Sequence, residues 1–385
     1  MNSSGRLVLG VVIIIAVLAG VYALLQSPET ANGPAAPGQA VAQPITIGFI
    51  GPLTGDTANL GQNAKAAVEI ALEEVNAAGG VNGRPLRVIY EDGRCNGKDG
   101  SDAANKLINA DNVPVILGGA CSGETMAFAS AAEQAKRVVL SYCSSAPSVT
   151  QAGDYIFRDY PSDLLQGTFG ANYAYATLGK RKVGVLYVKS DWGVGVSGVF
   201  KDTFVKLGGT VVASEGYDQA VRDLRTQITK IKAAKPDIVY FAGYTGDSII
   251  GIKQAADLKL GVPLFGADAW DDPKVWTDVG AAGEGALFTV VSAPLSDAFK
   301  AKMKEKTGSE NVIACSPGAY DGIKILAQVM AKVGTDSTAI KNELYKTEYT
   351  GGVSAAKVAF DANGDPVSAS YIVKVVKDGK AAEQK

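Results

Sequence analysis

The stretch TIGFIGPLTGDTANLGQNAKAAVEIALEEVNAAGGVNGRPLRVIYE, residues 46–91, contains one complete β-α-β unit. Thr46–Ile50 and Arg87–Glu91 are short runs rich in β-branched and aromatic residues, the composition of buried strands. Between them Ala64, Ala67, Val68, Ala71, Leu72 and Val75 recur at three- and four-residue spacing, which puts one apolar stripe along a helix, and Gly79-Gly80 stops it. The link between the strands is far longer than a hairpin turn, and a crossover through a helix brings the chain back parallel to its start. This unit sets the expectation of an α/β fold.

Working outward, Val115–Gly118 and Val138–Ser141 continue the strand pattern of a first lobe. After Tyr160-Pro161 the rhythm restarts with Lys182–Val188, Thr210–Glu215, Ile238–Ala242, Leu264–Gly266 and Ala286–Val290, separated by helical stretches. A second lobe of the same kind is implied. A helix follows at Tyr320–Val333, then an expected strand pair, Val358–Phe360 with Tyr371–Val376, around the turn Asp361-Ala362-Asn363-Gly364.

With 385 residues, 47% hydrophobic and 20% charged, the chain can build two sizeable cores. A net charge of −2 with dispersed Lys and Arg carries no footprint for nucleic acid. The chain has no histidine, so it lacks the Ser-His-Asp and Cys-His machinery and the imidazole ligands of common zinc sites. No metal and no cofactor is expected. An enzyme working by carboxylates alone, with Asp268 and Asp191, is the weaker reading, and the chain is read as a binding protein.

Arg6 precedes an apolar run, Leu7–Leu25, followed by a Pro/Ala/Gly/Gln stretch from Ser27 to Pro44. Residues 1–26 read as a signal peptide or an N-terminal membrane anchor, and 27–44 as a flexible linker. Val21-Tyr22-Ala23 and Ala40-Val41-Ala42 are the candidate cleavage sites. The expected location is periplasmic or otherwise extracytoplasmic, with any membrane contact made through residues 7–25. Four cysteines in an exported chain point to disulfides. Cys95 and Cys121 end consecutive strand segments and are the expected pair, while Cys143 and Cys315 are left to pair or to stay reduced.

The loops after the strands carry the functional signal, because open α/β sheets bind ligands at their carboxyl edges. Gly48-Phe49-Ile50-Gly51-Pro52-Leu53-Thr54-Gly55 lacks the spacing of a nucleotide-binding loop. Gly118-Gly119-Ala120-Cys121-Ser122-Gly123-Glu124-Thr125 ends a strand and leads into a helix expected from about Met126 to Lys136, an arrangement suited to an anion. Ser141-Tyr142-Cys143-Ser144-Ser145-Ala146-Pro147 repeats it after the next strand. In the second lobe, loops at Lys189–Gly193, Gly243–Gly246 and Gly266–Trp270 supply Trp192, Tyr244 and the carboxylate of Asp268.

Gly51-Pro52-Leu53-Thr54-Gly55, the helix end Glu74-Val75-Asn76-Ala77-Ala78-Gly79-Gly80-Val81-Asn82-Gly83-Arg84, the Ser122 loop and Phe360-Asp361-Ala362-Asn363-Gly364-Asp365 occur in an order that resembles the leucine/isoleucine/valine-binding-protein family, the type I periplasmic binding proteins of branched-chain amino-acid ABC transporters. The resemblance runs from about Ile45 to Gly379. It implies two doubly wound parallel-sheet lobes joined by a three-stranded hinge, a Venus flytrap, with crossings near Tyr160-Pro161, Val291–Pro294 and Gly351-Gly352. Residues 45–160 and 292–352 then form lobe 1, and 161–291 and 353–385 form lobe 2.

The resemblance further implies that Ser122, the Cys143 backbone and Ser145, with Ser144 in the same loop, hold an α-carboxylate. It implies that Asp268 meets an ammonium, that Trp192 and Tyr244 supply aromatic walls, and that Cys95 pairs with Cys121. Departures bear on the ligand's side chain: Leu60 stands where an aromatic is frequent, Trp192 is bulkier than the usual tyrosine, and Cys143 replaces a small residue. The expected function is the solute-binding component of an ABC transporter, monomeric, binding a branched-chain or other aliphatic amino acid and delivering it to permease subunits. The alternatives are an amide, urea or aromatic acid as ligand, or a ligand-sensing role.

Overall fold

β1 (Ile45–Gly51), α1 (Ala58–Ala77) and β2 (Leu86–Asp92) form the expected crossover, with Thr46 beside Arg87 and Ile47 beside Val88 in parallel register. These and all other positions come from a computed structural model that describes residues 43–384. The N-terminal apolar run, most of the linker and both candidate cleavage sites lie outside the described residues.

The first sheet is parallel throughout, in the order β2-β1-β3-β4-β5, with β3 at Val115–Leu117, β4 at Val138–Ser141 and β5 at Ile156–Arg158. Strand alternation sorts its residues onto two faces. Ile47, Phe49, Val115, Leu117, Val138 and Leu140 face a core that includes Ala67 and Val68 of α1 and Ile323 and Leu326 of α10 (Ser316–Val333). Ile50, Ile116 and Val139 face a second cluster with α2 (Gly97–Asn105) and α3 (Ser122–Gln134). Burial on both faces explains why these strands read as continuous apolar runs. α1 lies close to the loop after β1, and a methyl group at Gly61 would stand 2.0 Å from the Pro52 carbonyl oxygen. Only glycine permits that approach.

The second sheet runs β14-β13-β10-β9-β8-β6-β7. β6 (Lys182–Val188), β7 (Thr210–Tyr217), β8 (Ile238–Ala242), β9 (Leu264–Gly266) and β10 (Leu287–Val291) are parallel. β13 (Tyr371–Lys377) and β14 (Lys380–Glu383) close one edge antiparallel. α4 (Asp163–Asn172), α5 (Asp191–Lys206), α6 (Arg225–Ala233), α7 (Thr245–Asp257) and α8 (Pro273–Val279) belong with this sheet.

Three readings are corrected. α3 begins at Ser122, four residues earlier than expected, because Glu124 supplies its own capping box with Cys121. Val358 does not pair with the Tyr371 strand: β12 (Lys357–Ala359) pairs with β11 (Glu348–Thr350) in a separate two-stranded sheet. The third crossing is not at Gly351-Gly352. Val353, Val358 and Phe360 are buried in the first lobe's core, Phe360 lies edge-on to Phe157, and the Arg158 N–H still bonds the Gly364 carbonyl at 3.0 Å. The chain therefore leaves the first lobe after Gly364 and enters the second at Tyr371, and the boundary expected at 352/353 moves accordingly.

Candidate functional site

The carboxyl ends of β3 and β4 in one lobe and of β6, β8 and β9 in the other open onto a shared cavity of about 50 Å³. Leu60, Ser122, Cys143 and Ser145 line it from the first lobe, and Trp192, Tyr244 and Asp268 from the second. Ser144 does not. Its hydroxyl is fully buried, donating to the Gly119 carbonyl at 3.1 Å and sharing a 2.8 Å hydrogen bond with Thr125 Oγ1, so it pins two loops together. Thr57, Thr245, Asp272, Ile313 and Ala314 also line the cavity and were not singled out from sequence. The signal for Asp272 was its place four residues beyond Asp268. Ile313 and Ala314 precede α10 and arrive from a distant part of the chain.

On the first-lobe side the chemistry is anionic recognition. Ser122 is the first residue of α3, where the leading N–H groups have no carbonyl to bond within the helix. Its Oγ accepts the Ala146 N–H at 3.1 Å, which leaves the hydroxyl proton free to donate into the cavity. Glu124 stabilises the turn from below: Oε1 accepts the Cys95 N–H at 2.8 Å, and Oε2 accepts those of Ala120 and Cys121 at 2.9 and 3.0 Å. Burial outweighs these three donors and raises the Glu124 carboxyl to about 7. Behind the Ser144–Ala146 loop, buried Arg158 donates to the carbonyls of Ser144 (3.3 Å) and Ala146 (2.9 Å) while pairing with Asp365.

The opposite pole is acidic. Asp268 Oδ2 accepts the Tyr160 hydroxyl at 2.7 Å. Gln166, with its amide oriented by its neighbours, donates to Asp163 Oδ1 at 2.8 Å and accepts the Asp268 N–H at 2.9 Å. Burial raises the carboxyl of Asp268, and burial together with the Asp268 charge raises that of Asp163. With Asp163 ionised, Ser145 Oγ donates to its Oδ2 at 3.0 Å, so the Ser145 lone pairs are what remains for a ligand. The Cys143 N–H is directed to Ser141 Oγ at 3.4 Å, which leaves its carbonyl. Both groups are therefore acceptors here, the reverse of the carboxylate-holding role expected for them.

Apolar walls complete the cavity. Trp192 and Tyr244 stack with ring centres 4.9 Å apart. Cys143 and Cys315 form a disulfide with Cα atoms 5.2 Å apart, and both residues line the space. The expected Cys95–Cys121 bond is present, also with Cα atoms 5.2 Å apart, and packs into the apolar cluster of the second lobe. Polar contacts join the lobes around the rim: Asn59 Nδ2 donates to Asp272 Oδ1 at 2.6 Å, Gln219 Nε2 to the Cys95 carbonyl at 3.0 Å, and Arg222 pairs with Asp56 at 2.7 Å. Asp272 also accepts from Thr245 Oγ1 at 2.8 Å. The exposed Arg222 pair contributes little by itself, whereas the Asn59 bond is partly buried beside the cavity.

Comparison with known proteins agrees with this architecture. A leucine-, isoleucine-, valine-, threonine-, and alanine-binding protein of Pseudomonas aeruginosa is 29% identical over 334 residues, covering 84% of this chain and 87% of that one. The crystal structure of a leucine binding protein, LivK, from Thermotoga maritima superposes with a TM-score of 0.83 at 29% identity, covering 89% of this chain and 98% of its own. The branched-chain amino acid transporter substrate binding protein LivJ from Streptococcus pneumoniae, solved in complex with isoleucine, gives a TM-score of 0.80 at 25% identity, covering 89% and 99%. The family model described as periplasmic binding protein matches residues 44–380, and with two α/β lobes closing on a polar cleft the chain belongs to the periplasmic binding protein family.

Proposed function

We propose that this chain is the extracytoplasmic substrate-binding component of an ABC transporter and that it carries an aliphatic amino acid to permease subunits without altering it chemically. The observation that carries this reading is the opposition of two poles in one cavity: the Ser122 hydroxyl at the start of α3, and Asp268 on the other lobe. A zwitterion removed from water needs a partner for each charge, and each lobe offers one. Its carboxylate is assigned to Ser122 and the first N–H groups of α3. Its ammonium is assigned to Asp268, with the Ser145 hydroxyl oxygen as a second acceptor. Leu60, Trp192, Tyr244 and the Cys143–Cys315 bond receive the side chain.

Closure follows from the same arithmetic, since a ligand touching both lobes favours the state in which both can touch it. Support from relatives is consistent: the similar proteins of Pseudomonas and Thermotoga are named for branched-chain amino acids. The test is calorimetry of the full chain against the L-amino acids. One-to-one binding of at least one aliphatic member is expected, and Asp268→Asn should weaken it by at least about thirtyfold, as for truncating one partner of a buried charge pair. Silence across the whole set removes the ligand class. Unchanged affinity in the variant removes the ammonium assignment. Loss of uptake of that amino acid on deleting the gene separates transport from sensing.

A further inference from the structure

Beside the ligand cleft lies a larger cavity of about 470 Å³, bordered by all three chain crossings: Asp159–Pro161, Val291–Pro294 and the segment from Pro366 to Ser370. Tyr160 connects the two spaces, because its residue lines the hinge cavity while its hydroxyl bonds Asp268 in the cleft.

Asp159 is the unusual member of this lining. The residue is only 6% exposed, and neither carboxylate oxygen has a hydrogen-bond partner. Two glycines of α10, one turn apart, make room for it: a methyl group on Gly318 would stand 2.9 Å from Oδ1, and one on Gly322 would stand 3.3 Å from Oδ2. Its neighbour Asp321 is fully engaged, accepting the Val353 N–H at 2.9 Å, the Ser354 N–H at 2.7 Å and the Ser354 hydroxyl at 2.5 Å. A buried carboxylate without a donor is expensive, and a second carboxylate nearby adds to the cost. Burial, then the Asp321 charge, push the Asp159 carboxyl well above its ordinary range.

The chemistry of the walls narrows what would relieve that cost. Among the described residues no group of three or more His, Cys, Asp or Glu side chains is gathered for a metal ion, and a divalent cation wants several oxygen ligands. The space is far larger than one ion, and Pro161, Pro294, Pro317 and Pro366 give it apolar surfaces. A zwitterion is disfavoured, because its carboxylate would face Asp159 and Asp321. We propose that the hinge cavity binds a small organic cation, a primary alkylammonium whose –NH3+ group pairs with Asp159 and whose short chain lies against these prolines. The three crossings shift relative to one another as lobes open and close, so an occupant that fits one arrangement better is coupled by linkage to the cleft. The proposal does not depend on which ligand the cleft takes.

The test uses n-butylammonium chloride with the full-length protein at pH 7, read by saturation-transfer NMR, with n-butanol as the uncharged control. Transfer to n-butylammonium is expected, with at least tenfold weaker binding of n-butanol and at least tenfold weaker binding of n-butylammonium to Asp159→Asn. Gly318→Ala, which crowds the same carboxylate, should weaken it too and serves if Asp159→Asn does not fold. Asp268→Asn, which removes the cleft's own cation partner, should leave the affinity within twofold. Absence of transfer in the wild type, equal binding of n-butanol, undiminished binding by a folded Asp159→Asn, or loss in Asp268→Asn instead would each overturn the proposal.

Discussion

The Tyr160 hydroxyl donates to Asp268 Oδ2 at 2.7 Å, so the first chain crossing is bonded to the carboxylate that the second lobe turns into the cleft. Hinge and binding pole are one hydrogen-bonded unit. Tyr160 supplies a donor that favours the ionised acid against the burial that raises it. Tyr160→Phe removes that donor, so the Asp268 carboxyl rises further and more of it is protonated near neutrality. Amino-acid affinity should fall about fivefold to tenfold at pH 7, and the pH below which binding weakens should move upward. Calorimetry between pH 5 and 8 measures both, and an unchanged profile would show that the bond does not tune the site.

Arg158 and Asp365 make a two-point ion pair, Nε to Oδ1 at 2.6 Å and Nη2 to Oδ2 at 2.7 Å, with the guanidinium almost wholly buried. Removing one partner leaves the other charge uncompensated. Asp365→Asn should cost roughly 3 kcal/mol in chemical denaturation. Because Arg158 also holds the Ser144 and Ala146 carbonyls, the variant should weaken ligand binding as well. An Arg158→Met/Asp365→Asn double variant should recover part of the stability, and simple additivity of the two losses would contradict the pairing.

The Cys143–Cys315 bond joins residues 172 apart in sequence. A cross-link over so long a loop restricts the unfolded chain strongly, and Cys315→Ser together with Cys143→Ser should lower stability by roughly 2–4 kcal/mol. Both residues also line the cleft, so the ranking of amino-acid ligands should shift along with stability. Denaturation melts and a ligand panel on the double variant test the two effects separately. A stability loss with an unchanged ligand ranking would confine the bond to a structural role.

Glu124 makes a pH prediction with a definite sign. Its carboxyl is raised to about 7 in the folded chain from an ordinary 4.5, so the folded state holds a proton that the unfolded state has released. The stability from that proton is complete below the unfolded value, declines as pH rises between about 4.5 and 7, and is gone above. In Glu124→Gln the slope of stability against pH over that window should shrink by about one proton. An identical slope would mean that Glu124 is ionised throughout.

The legible part of this molecule was local. Alternating β-branched runs and the Ala64–Val75 stripe located β1, α1 and β2 to within a residue or two, since burial on both sheet faces forces a composition that a short window displays. β5 was missed because three residues, Ile156–Arg158, are too short to show a period. The strand at Lys357–Ala359 was found but given the wrong partner, because a turn such as Asp361–Gly364 signals a reversal and not which strand is met after it.

The site divides in the same way. Ser122, Cys143, Ser145, Trp192, Tyr244 and Asp268 follow strand ends, so their convergence was readable once the lobes were. Ser144 was not separable from its neighbours by sequence, since the direction of one hydroxyl depends on the loop at Gly119 that it meets. By itself, then, the sequence determined two α/β lobes, the loops that face each other and the Cys95–Cys121 pair. Only the tertiary structure decided the Cys143–Cys315 bond, the Arg158–Asp365 pair, the Tyr160–Asp268 contact and the solitary Asp159 carboxylate. The reason is physical: periodicity reports which face of an element is buried, while these interactions depend on which distant side chain packing brings to that face, and no local pattern carries that information.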